Sequence, residues 1–404
     1  VFKDYLKQIL KVHKYHSEDG VKKLENQVLK LYNYNLETRR VFLTENGRSA
    51  LYLLFKSLNL NEDDEVLVQG YTCHAVANPI IWANAKPVYI DIDPTTLSAD
   101  LEDLKKKITP KSKVVFVQHS YGEPGPIDEI IKIAKESNLI VVEDCAQCTG
   151  YDYNNERLGL KGDVLLFSFG IEKVIPTRVG GGILFNNEVL IKSFEAIFDK
   201  TPKLSRFRTF KWLINPIIWR FLRPFGVQTS IKMGTVLRRI GLIDLGFNEN
   251  ELLGKLPKHY PRRLTNPLAE IISPYISSSS LEPNLEHRKT ITKVYQDTLD
   301  KLSPSNVEKI FILDQPYQRY PILFETKEQR DKAFNGLESR GYYVTHWYVI
   351  SSRPEYYDVL QYEGKECPLT EDVESRIMIF PTTESISTTL AEEMITKAIN
   401  FSRQ

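Results

Sequence analysis

The sequence predicts an α/β protein, with a large domain built on a mostly parallel central sheet and a small α+β domain at the C-terminus. Three observations carry that expectation. Between about residues 41 and 186, short runs rich in Val, Ile, Leu and Phe alternate with segments of helical spacing. Those runs are apolar at consecutive positions, as strands covered on both faces must be. Beyond about residue 284 the order becomes helix, strand, helix, strand, helix, which reads as a separate unit.

Taken in order, residues 1–40 read as an N-terminal helical segment. The expected strands are "RRVFLT", "EVLVQ", "KPVYIDID", "KVVFVQHS", "LIVVEDCAQ", "DVLLFSF" and "GGILFN", with helical spacing over 49–58, 74–84, 98–108 and 126–137. The large domain spans 41–283. Within it, about 196–260 has the look of an insertion, where Trp, Ile, Leu and Phe mix with Arg and Lys. The small domain spans 284–404, with a helix over about 284–302, the strand "RYPILFE", the helix "KEQRDKAFNGLESRG", the strand "YYVTHWY" and a last helix from about 389 to 401.

At 404 residues the chain exceeds one hydrophobic core. A formal net charge of +1 argues against a nucleic-acid binder, which needs a basic surplus to neutralise phosphates. Four cysteines, irregularly placed, make no disulfide framework and suit a reducing cytoplasm. The first twenty residues carry charges every few positions, and no run of eighteen apolar residues occurs, so neither a signal peptide nor a membrane span is expected.

Three motifs lie where ligands of such sheets bind, beyond the carboxyl ends of strands. "TENGRSALYLLF" sets Gly47, Arg48 and Ser49 at a helix start, whose unpaired N–H groups suit a phosphate, although a plain helix cap looks the same. "LIVVEDCAQC" ends a strand on Asp144; Cys145 and Cys148 have the spacing of half a metal site, but no second pair follows and no metal is expected. "SFGIEKVIPTRVGGG" places Lys173 between the strand end at Ser168 and a glycine turn. A phosphate, a ring nitrogen wanting a counter-ion and an aldehyde wanting an amine would use all three, and pyridoxal phosphate carries these groups.

"NGRSAL", "YTCHAVANPIIWANAKPVYIDIDPTTLSAD", "HSYGEPGPIDEIIKIAKESNLIVVEDCAQ" and "GDVLLFSFGIEKVIPTRVGGGILF" resemble, in order and spacing, the fold-type I sugar aminotransferases of the DegT/StrS group. The resemblance runs over about 22–190 and resumes near 262. It implies pyridoxal 5'-phosphate held on Lys173, with Asp144 on the pyridine nitrogen, Gln147 near the ring, and Ser168, Gly47, Arg48 and Ser49 around the phosphate. His119 is either structural or near the ring. Two departures stand out. Cys73 replaces an aromatic residue that stacks on the ring, leaving Tyr71 or His74 for that role. Pro261, followed by Arg262 and Arg263, replaces an asparagine that reaches the partner subunit's phosphate, so Arg263 is expected there in a homodimer.

The resemblance implies transfer of an amino group, from glutamate by preference, to a keto sugar linked to a nucleotide. The alternatives are another pyridoxal enzyme of this fold acting on a different carbonyl compound, and a regulatory homologue without turnover. The insertion remains a third departure. From Lys203 to Leu242 it carries nine Lys and Arg and no Asp or Glu. Such a segment suits contact with an anionic membrane. Packing beside the substrate entrance is favoured instead, because Pro216 and Pro224 are expected to interrupt a continuous helix.

Overall fold

The structure is a computed structural model that describes residues 2–10, 15–33, 40–222, 224, 227–239, 241–243, 249–348 and 353–404. Its main sheet has seven strands: β1 (Arg40–Thr44), β2 (Glu65–Gln69), β3 (Lys86–Ile90), β4 (Ser112–Gln118), β5 (Ile140–Asp144), β6 (Val164–Ser168) and β7 (Gly181–Phe185). They lie in the order β1-β7-β6-β5-β4-β2-β3. The pairings from β6 through to β3 are parallel, and β7 alone is antiparallel to its neighbours β1 and β6. This is the α/β architecture expected from the alternating runs.

Consecutive apolar residues are needed because both faces are covered. Leu165 and Phe167 of β6 pack with Leu24, Val28 and Leu268, whereas Val164 and Leu166 pack with Leu54, Phe55 and Ile183 on the opposite face. Each such side chain contributes roughly 1.5–3 kcal/mol through burial. The glycines that open β7 answer to crowding. A Cβ on Gly181 would sit 2.7 Å from the Gly47 nitrogen and 2.9 Å from the Phe167 carbonyl oxygen, and one on Gly182 would sit 2.2 Å from the Phe42 carbonyl oxygen. Glycine there lets a helix start approach the ends of β1 and β6.

A second sheet, antiparallel, is formed by β8 (Val307–Glu308), β9 (Arg319–Phe324) and β10 (Ile377–Pro381). Helices Ser278–Leu302, Lys327–Glu338 and Thr388–Ser402 share its core. The expected strand "YYVTHWY" contributes only one bridge, from Thr345 to Ile379. The Trp347 carbonyl is taken by the hydroxyls of Tyr71 and Tyr121 instead of a neighbouring strand.

The insertion differs from expectation at Pro216, which lies inside a seventeen-residue helix, Arg206–Leu222. Tertiary burial of Trp212, Leu213 and Leu222 outweighs the lost hydrogen bond. The apolar side chains divide: these three are buried, while Phe207 and Phe221 are each 67% exposed. A second helix, Val227–Arg239, abuts the first so closely that a Cβ on Gly234 would meet the Trp219 ring at 2.5 Å. Arg223 and Phe225 lie outside the described residues. No helix among the described residues is long and apolar enough to cross a membrane.

Candidate active site

Because β1, β4, β5 and β6 run the same way, Thr44, Gln118, Asp144 and Ser168 end at one edge of the sheet. A cavity of about 460 Å³ opens there. Gly47, Arg48, Asp144, Gln147, Ser168 and Lys173 all line it. A larger hollow of about 560 Å³ lies elsewhere, beside Asp128, Glu156 and Lys161. Its lysine is already paired, with the Lys161 amine 2.8 Å from Asp128 and 3.1 Å from Glu156.

Lys173 belongs to the loop between β6 and β7, and its N–H donates to the Gly170 carbonyl at 3.0 Å. The loop is clamped from the second sheet. Arg319 of β9 pairs with Glu172 at 3.0 Å, and the Tyr343 hydroxyl donates to the same carboxylate at 2.6 Å. Asp144 is buried, and its carboxylate accepts the Ala146 N–H at 2.8 Å. Burial raises its pKa, opposed by the Lys173 charge and the Ala146 N–H. The same lysine opposes the rise that burial imposes on the Cys73 thiol, so Lys173, Asp144 and Cys73 share one electrostatic environment.

Gln147 is fixed at both ends of its amide: the Oε1 accepts the Tyr121 N–H at 2.9 Å, and the Nε2 donates to the Tyr348 hydroxyl. At the other side of the cavity, Asn46 caps helix Gly47–Ser57 by accepting the Ser49 N–H at 3.0 Å. The Gly47 and Arg48 N–H groups stand at the same helix start, across from the Ser168 side chain. A lysine amine, a buried carboxylate, and a helix start with a serine hydroxyl form a donor set that fits an aldehyde, a pyridine nitrogen and a phosphate.

Arg48 is engaged by the insertion. Its guanidinium lies 2.6 Å from Glu251, whose side chain is fully buried, and donates to the Tyr260 hydroxyl at 3.3 Å. Glu45 also lines the cavity, with its pKa pushed up to about 8 by burial, against the charges of Arg208, Arg48 and Arg262 and the Ser49 hydroxyl.

Ser49, Tyr71, His74 and Arg263 stand outside the cavity wall. The Ser49 hydroxyl donates to Glu45 at 3.2 Å. Tyr71 is buried, its hydroxyl 2.8 Å from that of Tyr121. His74 packs edge-on against Tyr356, with burial and then the Arg353 charge lowering its pKa to about 4. Arg263 lies over the Phe198 ring at 5.5 Å, with its N–H on the Pro202 carbonyl. His119 is held on both ring nitrogens, its Nδ1 accepting the Gly125 N–H at 3.0 Å and its Nε2 meeting Glu143 at 3.2 Å, while its backbone N–H donates to the Asp144 carbonyl at 3.3 Å.

Sequence reasoning missed Trp347, Tyr348, Trp212 and Arg178, all on the wall. The first three arrive by long-range packing, for which no local signal exists. Arg178 left one: a charged residue just ahead of the glycine turn.

A family model described as the DegT/DnrJ/EryC1/StrS aminotransferase family matches residues 2–233 and 260–399. GDP-perosamine synthase of Escherichia coli O157:H7 is 38% identical over 145 residues, covering 36% of this chain and 40% of that protein. GDP-perosamine synthase of Caulobacter vibrioides is 37% identical over 193 residues, covering 48% and 51%. The chain thus spans about half or less of the length of the curated relatives it matches. Among solved structures, the putative sugar aminotransferase Spr1654 of Streptococcus pneumoniae in its PMP form aligns over 100% of this chain and 97% of that chain, with TM-score 0.74 at 17% identity, a likeness of fold.

Proposed function

Since the chain belongs to the DegT/DnrJ/EryC1/StrS aminotransferase family, we propose that it moves an amino group from an amino acid, glutamate by preference, to a keto sugar carried on a nucleotide. The observation that carries this reading is the meeting of Lys173, Asp144, Ser168 and the helix start at Gly47 in one cavity. Pyridoxal phosphate, when bound, supplies an aldehyde and a conjugated ring that accepts electrons from the substrate carbon.

In this reading the Lys173 amine holds the cofactor, then moves a proton to and from the substrate carbon as acid and base. Asp144 supplies the negative charge that keeps the ring nitrogen protonated. Gln147, locked between Tyr121 and Tyr348, presents its amide at a fixed angle beside the ring. Ser168 and the N–H groups at Gly47 and Arg48 take the phosphate. Arg48 adds its charge from a guanidinium already held by Glu251, and Ser49 acts through Glu45. Tyr71 works from behind the wall: its hydroxyl holds the Trp347 carbonyl and so sets Trp347 and Tyr348 at the cavity. His74 packs behind the same wall.

The names of the two perosamine synthases favour a nucleotide-linked sugar as acceptor. A panel of keto-sugar nucleotides incubated with L-glutamate should yield an amino sugar from at least one member, with activity raised by added pyridoxal phosphate. Turnover of non-sugar ketones alone would favour another pyridoxal enzyme of this fold. No turnover of any carbonyl compound by cofactor-loaded protein would favour a regulatory role.

In this reading Arg263 also serves a site shared between the subunits of a homodimer. Its guanidinium is partly exposed, and Asp199, 4.0 Å away, is a loose partner. Mixing Lys173→Ala protein with Arg263→Ala protein should restore part of the activity that each lacks. Full activity of Arg263→Ala by itself would contradict a shared site.

A further inference from the structure

Arg178 lines the cavity with a charge that nothing in the described chain balances. No hydrogen bond or ion pair joins it to any described residue, and Tyr5 is the one ionisable group among the described residues that acts on it. The other cations of the wall differ, since Arg48 has Glu251 and Lys173 has Asp144 beside it. A half-buried cation normally has a counter-ion, because removal from water disfavours the charge.

The backbone adds a second, independent observation. Arg178 has φ +69°, in the left-handed region where a side chain is strained and glycine is at ease. Its neighbours hold it there. The Thr177 hydroxyl donates to the carbonyls of Phe169 at 3.1 Å and Val179 at 3.0 Å, and the Gly180 N–H donates to the Glu45 carbonyl at 2.7 Å. The chain therefore carries a strained arginine where glycine would be easier, and the side chain gains no partner among the described residues in return.

We propose that Arg178 is the counter-charge for an anionic group on the substrate: the α-carboxylate of the amino donor or the phosphate of the nucleotide-linked acceptor. Both present paired oxygens to the guanidinium fork. The proposal rests on the function above and assigns the substrate end of the same cavity.

The test uses the cofactor-loaded protein as wild type, Arg178→Gly and Arg178→Lys. Arg178→Gly should keep the cofactor absorbance and a thermal midpoint no lower than wild type, because glycine adopts this φ freely. The half-saturating concentration of L-glutamate in the donor half-reaction, or the dissociation constant of inorganic pyrophosphate, should rise about 10- to 100-fold, as expected for loss of one charge-assisted pair. A change in the glutamate arm identifies the carboxylate, and one in the pyrophosphate arm identifies the phosphate. Arg178→Lys should recover part of the loss. Changes below about threefold in both arms overturn the proposal, being smaller than the loss of a charged hydrogen bond. So does a loss that tracks weaker cofactor binding or a lower thermal midpoint, since Arg178 would then serve the cofactor or the fold. If the wild type fails to take up the cofactor, the function falls, and the pyrophosphate comparison still decides whether Arg178 binds an anion.

Discussion

Lys173→Ala protein should fold, show a thermal midpoint close to that of wild type, and lose transamination by a factor of roughly 10⁴ or more. The fold is expected to survive because the Lys173 side chain lines the cavity, while its loop is held through Glu172 by Arg319 and Tyr343. The activity is expected to vanish because one amine serves twice, as the group that holds the cofactor and as the base that moves the substrate proton. Acid–base catalysis alone is worth about 10²–10⁴, and loss of the anchor adds to it. Activity within about tenfold of wild type would mean that the amine does not move the proton.

Asp144→Asn should produce the second largest loss, roughly 10²–10³-fold in kcat, equivalent to two or three pKa units at the paired ring nitrogen, each about 1.36 kcal/mol. Asparagine keeps the shape and the acceptor for the Ala146 N–H but removes the negative charge. The side chain is buried at the end of β5, with the Lys173 charge acting on it, so water replaces little of what is lost. Cofactor should still load onto Lys173, which separates this variant from Lys173→Ala. A kcat close to wild type would mean that the nitrogen needs no counter-charge from this residue.

Much of the site was legible because its residues stand at element ends. Asp144 closes β5, Ser168 closes β6, and Gly47 begins a helix, each marked by the change from apolar run to turn. Lys173 was ambiguous in its own segment, where a lysine past a strand end can simply be solvated, and became legible only beside Asp144 and Ser168 and through the family resemblance; two of the three glycines that follow it are forced by backbone atoms within 3 Å of a would-be Cβ. What local pattern could not give was partnership across the chain. Arg48 and Glu251 are 203 positions apart in a sequence where neither signals the other, yet they form one buried pair. Trp347 and Tyr348 sat in a run with strand-like composition, and only the hydroxyls of Tyr71 and Tyr121 explain why it leaves the sheet.

Proline was the least reliable sign. Pro216 stands inside a helix kept by burial of Trp212 and Leu213, and Pro283 lies near the start of helix Ser278–Leu302, which begins before the expected boundary. In both places packing outweighs the missing donor. The pKa of Glu45 was equally invisible, since its rise to about 8 comes from burial that only the folded chain creates.

The account turns on Lys173 as the residue that holds the cofactor. Protein loaded with pyridoxal phosphate, reduced with borohydride and digested, should carry the cofactor's mass on the peptide containing Lys173 and lose that label in Lys173→Ala. A label on another lysine, or none with the cofactor in excess, would contradict the account.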